Sequence, residues 1–201
     1  MTKTRLMMRL SLTSLLLLQT ACVGSTTPAR FYLLEPVSGS EVAAPASMST
    51  TKPILSLAPV RIPPYLDRAQ LVSATGKNTY QLNELHRWAE SLGDNITRVM
   101  LQDLAVLVPA DVVLGTNLRA KQALLRLAVN ILEFHIDSKG QAGLVAQWQV
   151  SRGDQTVLSR QSNFREPADK DDVPMQVQAL NQCLNQLSRE IAEAMRVVKV
   201  D

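Results

Sequence analysis

Apolar residues change their period several times along the chain, and each change marks an element. From Ser91 to Val108 the positions Leu92, Ile96, Val99, Met100, Leu104 and Leu107 recur at steps of three and four and lie on one helical face. Ser91 with Asp94 three residues on predicts a capping box in its Asp variant, and Pro109 stands just past the end. A second stripe is longer: Val173, Val177, Leu180, Leu184, Leu187, Ile191, Ala194 and Val198 alternate steps of four and three, after Asp171-Asp172 and a first-turn Pro174. The opposite face carries Gln176, Gln178, Gln182, Asn185 and Gln186, amides suited to water or a protein partner.

Elsewhere the period is two. RFYLLEP (30–36), ILSLAPVRI (54–62) and ADVVLGT (110–116) read as strands, and a hairpin is predicted about Gly76-Lys77-Asn78. Residues 37–53 are small, polar and proline-punctuated, which predicts a mobile loop. Leu125, Leu127, Val129 and Ile131 share one face, but the next apolar residues are Leu132, Phe134 and Ile136. A strand does not move its buried face to the opposite parity without an irregularity, so a β-bulge is predicted near Ile131 and Leu132. SKGQ and RGDQ turn this strand into GLVAQWQVS and then TVLSRQSNF. The fold class is therefore α+β: a mostly antiparallel sheet with a long C-terminal meander, covered by helices at about 91–108 and 172–198 in a two-layer sandwich. One domain is expected over 30–200.

The N-terminal run does not belong to this pattern. Lys3, Arg5 and Arg9 precede an apolar stretch from Leu10 to Leu18, interrupted by Ser11, Thr13 and Ser14, and small residues lead to Cys22. That order predicts a secretory signal over 1–21, the run being shorter than the roughly 20 apolar residues of a spanning helix. It also resembles the bacterial lipoprotein pattern, in which the Cys22 thiol receives a lipid and 22–29 becomes a tether; Gln19 stands where an aliphatic residue is usual. Lipidation at Cys22 and ordinary cleavage both remain open on the sequence.

Charge sharpens this division. Three of the 21 basic residues lie in the signal and none of the 18 acidic ones does, so the formal +3 belongs entirely to the segment to be removed. The remaining body is formally neutral, and nucleic acid is not expected as a partner. Enzymatic chemistry finds no anchor either. His86 and His135 lie on different elements, and HExxH, CxxC, GxSxG and phosphate-binding glycine loops are absent. No catalytic residue, metal or cofactor is expected. With Cys22 lipidated, Cys183 has no partner in the chain and is expected to be buried.

One stretch stands out for binding. Pro63, Pro64, Tyr65, Leu66, Asp67 and Arg68 place stiff prolines, an aromatic and an ion-pairable couple between two strands. The segment reads either as a stiff connection in which Asp67 caps a turn or as an exposed loop for docking a partner.

Taken together, FYLLEP at 31–36, the block PVRIPPYLDRAQLVSATGKNTYQLNELHRWAESLGDNITRVMLQDLAVLV at 59–108, and NQLSREIAEAM at 185–195 resemble the PqiC (YmbA-like) family of auxiliary lipoproteins. The resemblance implies a non-catalytic periplasmic subunit of an ABC-type or MCE-type system that moves lipids between membranes and supports envelope integrity. It implies an outer-membrane location, lipid-anchored and facing the periplasm, with an MCE-domain protein and inner-membrane transporter components as partners. A homo-oligomeric ring is an open expectation. The alternatives are a periplasmic lipid carrier with its own apolar cavity and an envelope hydrolase.

Overall fold

The computed structural model describes residues 27–37 and 52–197. Eight strands form one mixed sheet: β1 (Arg30–Tyr32), β2 (Ile54–Leu57), β3 (Gln70–Gly76), β4 (Thr79–Trp88), β5 (Asp111–Leu114), β6 (Leu125–Ile136), β7 (Gln141–Arg152) and β8 (Gln155–Pro167). Helix α1 (Leu92–Leu107) follows β4, a 3-10 turn (Leu118–Gln122) precedes β6, and α2 (Val173–Val197) ends the described chain. The α+β class, the meander and the two covering helices are as the periodicity predicts.

β6 organises the sheet. One of its edges pairs with β7 along nearly its whole length, and β7 pairs with β8, all antiparallel. The other edge is shared: β2 runs parallel to its start, from Leu55 opposite Leu125 to Leu57 opposite Leu127, and β3 meets its end at Ser73 opposite Ile136. β5 extends the sheet beyond β2 in parallel, while β4 pairs antiparallel with β3 and carries β1 in parallel. These short parallel pairings are non-local, and no periodicity announces them.

The predicted bulge is present. The β6–β7 register steps from Ile131 to Glu133, so Leu125, Leu127, Val129 and Ile131 before it and Phe134 and Ile136 after it are all buried. Asp137 closes the following turn by accepting from the Lys139 and Gln141 N–H groups at 2.8 and 2.9 Å. Gly140 there has φ +79°, a conformation that favours glycine.

Helix α2 packs across β6, β7 and β8, and α1 packs against α2 and β5. Leu127, Leu144, Trp148 and Val150 from the sheet meet Val177, Leu180, Leu184, Leu187 and Ile191 from α2 in one hydrophobic core. The Trp148 indole donates to Ser162 Oγ at 2.9 Å, and Ser162 donates to Glu190 of α2 at 3.0 Å. The buried ring therefore has a satisfied polar tip. Val198, the last position of the predicted stripe, lies outside the described residues.

Four local expectations need correction. Only Arg30–Tyr32 of 30–36 is strand, and β2 stops at Leu57 because Pro59 has no N–H for the ladder. Arg61 then returns to the sheet as a single bridge to Asn130. Ser91 is the α1 N-cap residue, but its side chain makes no capping bond; its carbonyl accepts from Asn95. The amide face of α2 is not wholly free. Gln176 is buried and donates to the carbonyls of Asp169 and Lys170, and Gln186 donates to Glu166 of β8.

Candidate docking surface

The prolyl segment is fastened to the sheet before it leaves it. Ala58 N–H donates to Leu127 O at 2.9 Å, Arg61 N–H to Val129 O at 3.1 Å, and Ile131 N–H to Arg61 O at 2.8 Å. After Pro63 and Pro64 the chain tightens into successive turns, with Leu66 N–H donating to Pro63 O, Asp67 N–H to Pro64 O and Arg68 N–H to Leu66 O. Leu66 is 1% exposed and sits in the core, which holds the loop down. Pro64, Asp67 and Arg68 are exposed, and Pro63 and Tyr65 are half-buried.

Tyr65 joins this loop to the bulged end of β6. Its hydroxyl lies 3.3 Å from His135 Nδ1, and its ring centroid is 5.4 Å from that of Tyr80 and 6.1 Å from that of His135. Tyr80 and His135 meet edge to face at 5.3 Å. Burial, and then the nearby Tyr80 and Glu133, push the Tyr65 hydroxyl up to about 12. Burial also lowers the pKa of His135 and so favours its neutral form, with Glu133 and Asp137 pulling the other way and Arg165 assisting. The second histidine is structural in the same manner: Tyr32 Oη is 2.7 Å from His86 Nδ1 and the two rings stack.

A polar clamp that periodicity missed holds the chain after β1. Leu34 N–H donates to Asn95 Oδ1 at 2.8 Å, Val37 N–H to Asp103 Oδ1 at 2.7 Å, and Glu35 N–H to Asn181 Oδ1 at 2.6 Å. Asn95 and Asp103 project from α1 and Asn181 from α2, so both helices grip one extended segment. Asn95 also donates to Glu90 Oε1 at 2.7 Å, the oxygen that Arg98 grips. Burial pushes the Asp103 carboxyl up, while Ser188, the Val37 N–H and Arg189 favour its charged form. The available signal was that Asn95 and Asp103 fall at stripe spacing, three after Leu92 and four after Val99, although their partners are not readable from it.

Cys183 is buried on α2 with its sulfur 3.7 Å from Ala142 O, and burial pushes its thiol up to about 12. It is an inert thiol under ordinary conditions. Cys22 and the signal segment predicted over 1–21 lie outside the described residues, as does most of the loop predicted over 37–53. Among the described residues no cluster of three or more metal-ligating side chains occurs, and no helix is long and apolar enough to cross a membrane.

The family model for the ABC-type transport auxiliary lipoprotein component matches residues 32–192. The chain belongs to that family. The match spans β1 to α2 and includes the prolyl loop, the Tyr65–His135 contact and the polar clamp. The crystal structure of an uncharacterized protein is similar at a TM-score of 0.70 and 20% identity, over 84% of this chain and 99% of that one. A Xanthomonas campestris protein of the DUF330 family is similar at a TM-score of 0.69 and 17% identity, over 83% of this chain and 94% of that one. At these identities the likeness is one of fold. No curated protein sequence matches the chain.

Proposed function

We propose that this member of the auxiliary lipoprotein family is a non-catalytic adaptor of an ABC/MCE-type system for lipid transport between membranes. It is tethered to the outer membrane through lipid on Cys22, faces the periplasm and supports envelope integrity. Its partners are an MCE-domain protein and inner-membrane transporter components, engaged singly or by a ring of copies. The observation that carries this reading is the family match across nearly the whole described fold. The prolyl loop supports it: a turn pinned by buried Leu66 and zipped to β6 presents Pro64, Asp67 and Arg68 at little ordering cost, which favours docking. A depression of about 660 Å³ on the sheet is an open trough lined by amides and arginine, not an enclosed apolar chamber, which weighs against its being a lipid carrier's cavity.

The test is capture from solubilised envelope. Wild type is expected to bring down transporter subunits, and Asp67→Ala with Arg68→Ala to bring down fewer at an unchanged melting temperature. Recovery of bound phospholipid alone, without transporter subunits, refutes the adaptor. Radiolabelled palmitate is expected to enter wild type and not Cys22→Ser.

A further inference from the structure

The helices cover one face of the sheet, and the other face holds a trough that the prolyl loop does not account for. In β6, β7 and β8 the residues opposite the core are Arg126, Ala128 and Asn130, then Gln147 and Gln149, then Ser159 and Gln161. With Ala58, Pro59 and Arg61 as a wall, all of these but Arg126 bound a depression of about 660 Å³. Through shared Ala58, Pro59 and Ala128 it continues into a second depression of about 410 Å³, reaching Lys121 and Arg126.

Its electrostatics are one-signed. Arg61, Lys121, Arg126 and Arg160 are exposed along it, Arg160 with its guanidinium 6.0 Å from the Trp148 ring centroid, and no acidic residue lines either part. Among the described residues the four trough cations are in no salt bridge, as is also true of Arg68, Lys77 and Lys139 elsewhere; what sets the trough apart is that its cations stand together with no carboxylate in the lining. A formally neutral body thus gathers cations without an acidic neighbour along one groove.

We propose that this trough is a docking site for an extended, acidic peptide segment of a protein partner, a reading that rests on the adaptor role and specifies its chemistry. Carboxylates answer these cations. Amides on neighbouring strands, about 4.8 Å apart, offer donors and acceptors to a backbone that exposes both; Gln147 already donates to Gln161 at 3.1 Å, which fixes part of that array. A glycan lacks the aromatic platform it stacks on, because the Trp148 ring is turned into the core at 2% exposure. Acyl chains find no apolar chamber among amides.

Full-length protein in detergent, titrated at low salt with a fluorescein-labelled peptide alternating Asp and Ser, is expected to bind it. The Asn–Ser counterpart is expected to bind about tenfold more weakly. Arg61→Gln/Lys121→Gln/Arg126→Gln should weaken the acidic peptide by about tenfold at an unchanged melting temperature. The charge-preserving variant Arg61→Lys/Lys121→Arg/Arg126→Lys should retain binding. Equal affinity for both peptides, or unchanged affinity in the glutamine variant, overturns the proposal. So does binding of phosphatidylglycerol vesicles through the same cations in place of the peptide. Envelope capture is read separately: wild type that captures no transporter subunits defeats the adaptor role, while the peptide titration still decides the trough.

Discussion

The two faces of the sheet are written by the same strands and do opposite work. Along β7, Leu144, Ala146, Trp148 and Val150 are at most 2% exposed beneath α2, while the intervening Gln147 and Gln149 look out from the uncovered face. The covered face gains its stability from apolar burial, at roughly 25 cal/mol per Å². The open face gains little from its amides and exposed cations, which water solvates. The difference teaches that a two-layer fold with helices on one side leaves part of the other sheet face open to solvent without disturbing its core.

Substitutions on opposite sides of one strand break the comparison most directly. Trp148→Ala empties a packed site and removes the indole donor to Ser162, so it is expected to cost about 3–5 kcal/mol, whereas Gln147→Ala beside it stays within about 0.5 kcal/mol. Urea unfolding of both variants measures this, and similar losses would mean that the open face is also structural. The polar clamp comes next. Asn95→Ala leaves the Leu34 N–H without its acceptor, an expected cost of about 1–3 kcal/mol, with faster amide exchange at Leu34 as the local signature.

The smallest effect is pH-dependent and concerns the rim where the loop meets β6. His135 has its folded pKa lowered below 6.5, so the unfolded chain binds the extra proton first. Its contribution is fully present above that value and is lost as pH falls through the folded pKa. Asp103, raised by burial, acts in the opposite sense, so the informative quantity is the difference from His135→Gln. Wild type should lose more stability than this variant between about pH 7.5 and about pH 5.5, followed by urea midpoints. Parallel curves would assign the buried imidazole no part in acid sensitivity.

Much of the fold was legible because its signals are local. Alternating steps of four and three require only that Val177, Leu180, Leu184 and Leu187 meet one surface, and the parity change after Ile131 already demands a bulge. Ser91 misled because its type and spacing fit a capping box, while the actual bonds at that end run through the Ser91 carbonyl and Asn95. Within the prolyl segment, the stiff connection was readable from the prolines. That Leu66 is a core residue beside exposed Asp67 and Arg68 was not, because turn geometry decides which side chain faces inward.

By itself, the sequence determined the helix faces, the meander, the bulge, the neutrality of the body and the location of its charge excess, since each depends on neighbours a few residues apart. Only the tertiary structure decided that β2 and β3 divide one edge of β6, that both helices clamp Leu34 to Val37, and that Arg61, Lys121 and Arg126 line one trough. Those juxtapositions join residues far apart in the chain. Their energies arise from hydrogen bonds, burial and charge proximity that exist only once the sheet has brought them together.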